Sequence, residues 1–200
     1  MEKIARADGN SIIGIDLLLN WFDLYGRHDL PWQKNPTPYR VWISEVMLQQ
    51  TQVQTVIPFF TKFIRSFPSV KILSEKNIDE VLNSWSGLGY YSRARNLHKA
   101  ARIIMEDYGG EIPTTTEELV DLPGIGKSTA GAIIALALNQ PAAILDANVK
   151  RVLSRYHAIK SKPETAKATR QLWTIAEMHV PKRRHREYTQ ALMDLGAMVC

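Results

Sequence analysis

The stretch Thr129 to Leu138 is apolar on every side. A helix without a polar face has to be enclosed by others, so this segment belongs at the centre of the fold. The rest of the chain supplies helices to enclose it. Leu17, Leu18, Trp21, Phe22 and Tyr25 recur at three- and four-residue spacing and predict a first helix with one apolar stripe. Leu30-Pro31-Trp32 and Pro36-Thr37-Pro38 predict a loop, because proline restricts itself and its predecessor. Further helices are predicted from about Tyr39 through Gln50, through Phe59, Phe60, Phe63 and Ile64 to a stop at Pro68, around Val70 to Leu73, and over Ile78 to Trp85. After the break at Gly87-Leu88-Gly89, Tyr91 to Tyr108 reads as a long helix ended by Gly109-Gly110. Thr116 to Leu122, Ser128 to Leu138, Ala147 to Tyr156, Pro163 to Met178 and His185 to Val199 complete the set. No period-two run survives beyond a few residues, which predicts an all-α fold.

Two hundred residues suffice for one large domain or two small lobes. No apolar run reaches the length of a membrane span, and no membrane partner is expected. Ile12 to Phe22, interrupted by Asp16 and Asn20 and lacking a small-residue cleavage site, does not read as a signal peptide. The single cysteine, Cys200, leaves no internal disulfide framework and suits a reducing compartment. The net charge of +5 is unevenly spread. Lys150, Arg151, Arg155, Lys160, Lys162, Lys167, Arg170, Lys182, Arg183, Arg184 and Arg186 stand against Glu164 and Glu177, so this segment carries +9 and the remainder −4. Such a segment suits a polyanion, because each neutralised phosphate releases counterions. Charge alone fits a solvated helical surface equally well.

Leu122-Pro123-Gly124-Ile125-Gly126-Lys127-Ser128 joins a short amphipathic helix to the enclosed one. Gly-x-Gly by itself is most often a plain helix–helix turn. In this setting it reads as a helix–hairpin–helix whose glycines admit an anion close to backbone N–H groups, with Lys127 adding charge. That geometry grips a phosphate and reads no base. Glu45 lies in the second predicted helix, and Trp42, Leu48, Val41 and Gln49 at three- and four-residue spacing offer no basic partner. A lone helical glutamate is usually exposed; one partly buried beside Trp42, Ile43, Val46 and Met47 would have a raised pKa and could serve as a general acid. Asp146, before the helix from Ala147, fits an N-cap, and the same helix end keeps an aspartate ionised. One neutral and one charged carboxyl is the division of labour that glycosidic bond cleavage needs.

Six blocks stand in a recognisable order: Leu30-Pro31-Trp32, Ser44 to Thr51, Gly87-Leu88-Gly89-Tyr90-Tyr91, the Leu122 to Ala130 hairpin, Leu145-Asp146-Ala147-Asn148-Val149, and Met193-Asp194-Leu195-Gly196-Ala197. They resemble the adenine DNA glycosylases of MutY type, within the helix–hairpin–helix glycosylases that include endonuclease III. The resemblance implies a monofunctional base-excision enzyme acting as a monomer, in the cytoplasm or nucleoid. Its substrate would be double-stranded DNA with adenine mispaired with 8-oxoguanine or guanine. Glu45 would protonate N7 of the flipped adenine, Asp146 would stabilise the sugar cation or bond to it transiently, and Asn148 would orient that machinery. Trp32, Gln190 and Ser128 match base-pocket positions. Leu48, Gln50 and Tyr90 match residues that wedge into the duplex, at a cost of a few kcal/mol in unstacking, with core packing the other reading of Leu48 and Tyr90. Gly124, Gly126 and Lys127 would hold the phosphate.

The resemblance also implies two helical lobes with a DNA-binding cleft between them. One is a six-helix barrel over residues 30–140, and the other joins 1–29 to 141–200. Relatives with lyase activity carry lysine where this chain has Ser128, so pyrimidine excision with strand cleavage is the runner-up, and a silent DNA-binding module the third reading. Ala147 replaces the family's usual glycine, and Gln33 a frequent arginine. Cys200 matches the first of four cysteines that hold a 4Fe-4S cluster, and the other three are not in this chain. With the cluster loop absent, the final helix is expected to have nothing tying its C-terminus down and to fray.

Overall fold

The computed structural model describes residues 14–160 and 165–200. Ile12 and Ile13 of the apolar N-terminal stretch, Lys162 and Glu164 of the basic segment, and Pro163 at the start of a predicted helix lie outside the described residues. Among the described residues the chain is helices and turns with no strand, as its period predicts. It divides into two units, one of His28–Gln140 and one joining the described residues up to Arg27 to Pro141–Cys200.

The His28–Gln140 unit contains α2 (Pro38–Leu48), α3 (Val53–Ser66), α4 (Val70–Glu75), α5 (Ile78–Trp85), α6 (Tyr91–Tyr108), α7 (Thr116–Val120) and α8 (Lys127–Ala132). α8 runs on as a π-helical stretch, Ile133–Ala137. The segment that lacks a polar face is enclosed: every residue from Thr129 to Leu136 is buried, and α2 packs on both α8 and its π-helical continuation. Trp42, Trp85, Phe60 and Phe63 fill the core. Phe63 meets Trp85 edge to face at 5.8 Å between ring centres and Phe67 at 4.7 Å. Each such pair adds about 0.5–1.5 kcal/mol beyond the area it buries. The buried Tyr39 hydroxyl donates to the Phe67 carbonyl at 2.7 Å, and desolvation pushes its pKa far up.

Two expectations change here. Pro38 opens α2 instead of closing a loop, because a proline at the first helical position forfeits an N–H that has no partner anyway. Thr37 caps the helix, its hydroxyl accepting the Arg40 N–H at 3.3 Å. At the other end α2 stops at Leu48, so Gln50 is outside the helix, at φ 56°.

The second unit contains α1 (Ile15–Tyr25), α9 (Ala147–Tyr156), α10 (Ala166–Met178) and α11 (His185–Met198). α11 packs against α1 and α9, and α10 against α9. The buried stripe of α1 is Leu18, Leu19 and Phe22, whereas Leu17 and Tyr25 of the expected stripe are 76% and 64% exposed. The apolar period of α1 is wider than the face that packs, so the sequence overstates the stripe.

Candidate active site and nucleic-acid interface

Within the second unit, Asp146 caps α9. Its Oδ1 accepts the Val149 N–H at 2.8 Å and its Oδ2 accepts from Asn148 Nδ2 at 3.0 Å. Asn148 is held in turn by Arg151, whose Nη1 donates to Asn148 Oδ1 at 3.1 Å and to the Gly196 carbonyl at 2.5 Å. The cap and the fixed carboxylate are therefore one arrangement, and the two readings of Asp146 do not compete. Gly196 makes it possible. A Cβ there would stand 2.6 Å from Asn148 Cβ and 2.6 Å from its carbonyl oxygen, so only glycine lets α11 come this close to α9.

Gln190 is buried on α11 and donates to Asp194 Oδ1 at 2.9 Å. Asp194, fully buried, also accepts the Arg27 backbone N–H at 2.7 Å and its guanidinium at 2.9 and 2.5 Å. The whole carboxylate is thus satisfied, as a buried charge must be. Nothing local in the sequence announces a pair 167 residues apart.

The end of α11 is not untied, contrary to expectation. The Cys200 N–H donates to the Leu195 carbonyl at 3.0 Å, and the Cys200 carbonyl accepts from the Arg155 guanidinium. Cys200 is a free, half-buried thiol and the only cysteine of the chain. Among the described residues no three His, Cys, Asp or Glu side chains gather where they could hold a metal. The residues present do not fit a cluster that needs four thiolates.

In the His28–Gln140 unit, Glu45 is half-buried on α2, flanked by the buried Ser44 and Val46. Leu48 is half-buried at the helix end and Gln50 is exposed beyond it. Tyr90, 56% exposed and at φ 51°, stands at the start of α6, so core packing does not account for it. Trp32 is buried and meets Phe60 edge-on at 5.5 Å. Its loop is pinned by Arg40, which donates to the Pro31 carbonyl at 2.8 Å and lies 5.2 Å from the Phe60 ring centre, and by Gln33, whose Oε1 accepts the Leu30 N–H at 3.2 Å.

The hairpin runs from α7 to α8 with Gly124, Gly126 and Lys127 exposed and Ser128 half-buried. Gly124 has φ 81° and its Cβ would stand 2.9 Å from that of Asn96, so backbone and packing both demand glycine. Gly126, at φ −92°, faces open space with nothing within 4 Å of a Cβ. Its smallness is not used inside the fold, which leaves room for a ligand to approach the backbone.

In the basic segment, Arg155, Lys160, Lys167, Arg170, Lys182 and Arg183 are exposed. Arg151 is engaged on α9 and α11, and Arg184 pairs with Asp23 at 2.5 and 3.1 Å, which raises the Arg184 pKa. Charge counting alone did not separate these structural arginines from the solvent-facing ones. Sequence reasoning also missed Arg93, only 8% exposed on α6. The available signal was its register, at four and eleven residues from the buried Leu97 and Ile104.

Comparison with known proteins adds independent findings. Residues 43–178 match the family model described as HhH-GPD superfamily base excision DNA repair protein. The adenine DNA glycosylase of Buchnera aphidicola subsp. Acyrthosiphon pisum is 50% identical over 184 residues, 92% of this chain and 53% of that protein. The human adenine DNA glycosylase is 44% identical over 192 residues, 92% of this chain and 35% of that protein. The chain thus spans about half the length, or less, of these curated relatives. Among solved structures, a thermostable thymine-DNA glycosylase superposes with a TM-score of 0.83 at 29% identity, over 93% of this chain and 85% of that one. Endonuclease III in a non-covalent DNA complex gives 0.78 at 21% identity, over 93% of this chain and 84% of that one, a likeness of fold alone.

Proposed function

The chain belongs to the HhH-GPD superfamily of base excision DNA repair proteins, and from that membership we propose that it hydrolyses the N-glycosidic bond of adenine mispaired with 8-oxoguanine or guanine in double-stranded DNA. The observation that carries this reading is the Asp146 carboxylate, held through both oxygens by Val149 and Asn148 at the start of α9. The identity to proteins named adenine DNA glycosylase supports the choice of base.

Glu45 gives a proton to adenine N7, and the C1′–N9 bond then breaks with its electron pair leaving on the base. The sugar is left as a cation, and preorganised negative charge lowers the barrier to forming it. Asp146 supplies that charge, and Asn148 keeps its carboxylate from rotating. Water adds at C1′ and loses a proton, and the products are free adenine and an abasic site. Trp32, Gln190 and Ser128 are the base-binding residues in this reading. Leu48, Gln50 and Tyr90 wedge into the stack, while Gly124, Gly126 and Lys127 hold a phosphate. The protein works as a monomer on cellular DNA, in the cytoplasm or nucleoid; among the described residues no helix is long and apolar enough to cross a membrane.

Glu45→Gln keeps the shape and removes the proton, so single-turnover adenine release should fall about 10²–10⁴-fold with duplex affinity nearly unchanged. Asp146→Asn should cost on the order of 10²–10³-fold. Wild-type rates in either variant overturn the mechanism. Because position 128 is serine, borohydride should trap no covalent complex; efficient trapping would favour the lyase reading. A variant-insensitive duplex binder with no adenine release would be the silent module.

A further inference from the structure

Arg93 does not belong to the machinery assigned so far, yet its guanidinium donates to six oxygens. It projects from the first turn of α6 and is 8% exposed. Its Nη1 donates to the carbonyls of Val46, Met47 and Gln49 at 3.0, 2.8 and 2.5 Å. Its Nη2 donates to Thr51 Oγ1 at 3.2 Å and to the carbonyls of Leu88 and Gly89 at 3.4 and 3.2 Å. All six acceptors are neutral oxygens. Burial pulls the guanidinium's pKa down, partly opposed by Tyr90, and the carbonyls at the end of α2 replace the counter-charge that a carboxylate would give. The guanidinium also lies 5.6 Å from the Trp85 ring centre and 5.2 Å from that of Tyr90.

The acceptors fall in two segments, the end of α2 with its following turn and the Leu88–Tyr90 turn before α6. Each turn contains a non-glycine residue in the left-handed region, Gln50 at φ 56° and Tyr90 at φ 51°. Such residues persist only where surrounding bonds over-determine them. Both residues are exposed. We propose that Arg93 is a positioning residue that locks these two turns to each other, so that Leu48, Gln50 and Tyr90 enter the DNA stack as one rigid wedge. This rests on the wedge reading given above. A planar fork with two donor ends can bridge two turns; a lysine ammonium, a single point with three donors, cannot span both.

The test uses the whole chain with 2-aminopurine in place of adenine, whose fluorescence rises on unstacking. One duplex sets it opposite 8-oxoguanine and a second opposite an abasic analogue, where it is already loosened. For Arg93→Lys, extrusion from the paired duplex should slow about tenfold or more, because misplaced contacts remove the register that the wedge needs. Extrusion from the loosened duplex and duplex affinity should each change less than about threefold, since phosphate contacts are untouched. Amide exchange at Gln49–Thr51 and Leu88–Tyr90 should rise together, with α3 and α5 unaltered. Wild-type extrusion, equal losses on both duplexes, or loosening of one turn alone overturns the proposal. If Arg93→Lys unfolds, Thr51→Val removes one acceptor and leaves Arg93 in place. Slower extrusion from the paired duplex only then supports the lock, and unaltered extrusion overturns it. Gln50→Ala and Tyr90→Ala report on the wedge itself. If both extrude at the wild-type rate the wedge reading fails, while joint loosening of the two turns in the Arg93 variant still reads the lock.

Discussion

At position 196 even one methyl group would sit 2.6 Å from two atoms of Asn148, closer than side chains come in real proteins. Gly196→Ala should therefore destabilise the chain by about 1–3 kcal/mol, the usual cost of overpacking. Because the clash falls on Asn148, adenine release should drop further than the melting temperature explains at a temperature where the variant is folded. Thermal unfolding with single-turnover release checks this, and a stable variant with full activity would show that the helices part without disturbing Asp146. At this scale the sequence was legible where chemistry clusters along the chain. Asp146 and Asn148 are two residues apart and carry their motif openly. Arg151 bonds Gly196 45 residues away, and no periodicity points across that distance.

The helices α5, α6 and α9 begin and end where their caps and breakers predict. Failures came where a residue type has two uses, as with Pro38, or where a helix end depends on a partner elsewhere. Gln50 leaves α2 because Arg93, from α6, takes the last carbonyls of that helix. The ends of α9 and α10 hold another such dependence. His157 Nε2 lies 3.2 Å from His179 Nε2, and His179 Nδ1 donates to the Ile175 carbonyl at 2.7 Å. Burial, and then His179, push the His157 pKa below the ordinary value of 6.5. The unfolded chain consequently takes up a proton here before the folded one does. The stability is present above the unfolded pKa and is lost as pH falls through it toward the folded value. Melting temperature should decline from about pH 7 to pH 5, and His157→Gln should flatten part of that slope. Identical slopes in the two proteins would remove the histidine pair from the account.

Over the whole molecule, the segment Lys150 to Arg186 is where the excess positive charge collects, and its exposed members are the ones placed to meet phosphate. Lys182 and Arg183 are two of these. Changing each to Gln should reduce the slope of log affinity against log salt by about 0.9 for every phosphate that is no longer neutralised. An unchanged slope with unchanged affinity would mean that this surface does not face the duplex. Charge patterning made the segment visible in the sequence, but the Arg184–Asp23, Arg151–Gly196 and Arg155–Cys200 bonds, which engage three of its arginines, needed the fold.

The buried pair between Arg27 and Asp194 sets an order of events during synthesis. The residues of the unit His28–Gln140 leave the ribosome as one uninterrupted stretch, so that unit can assemble as soon as it is made. Helix α1 cannot do the same. Arg27, just past its end, has its partner 167 residues downstream, which at ordinary elongation speeds is roughly 8–30 s of waiting. Throughout that interval Leu18, Leu19 and Phe22 have no α11 to cover them. The earliest helix of the described chain is thus among the last to be locked, and in a growing polypeptide its apolar stripe waits uncovered until α11 arrives.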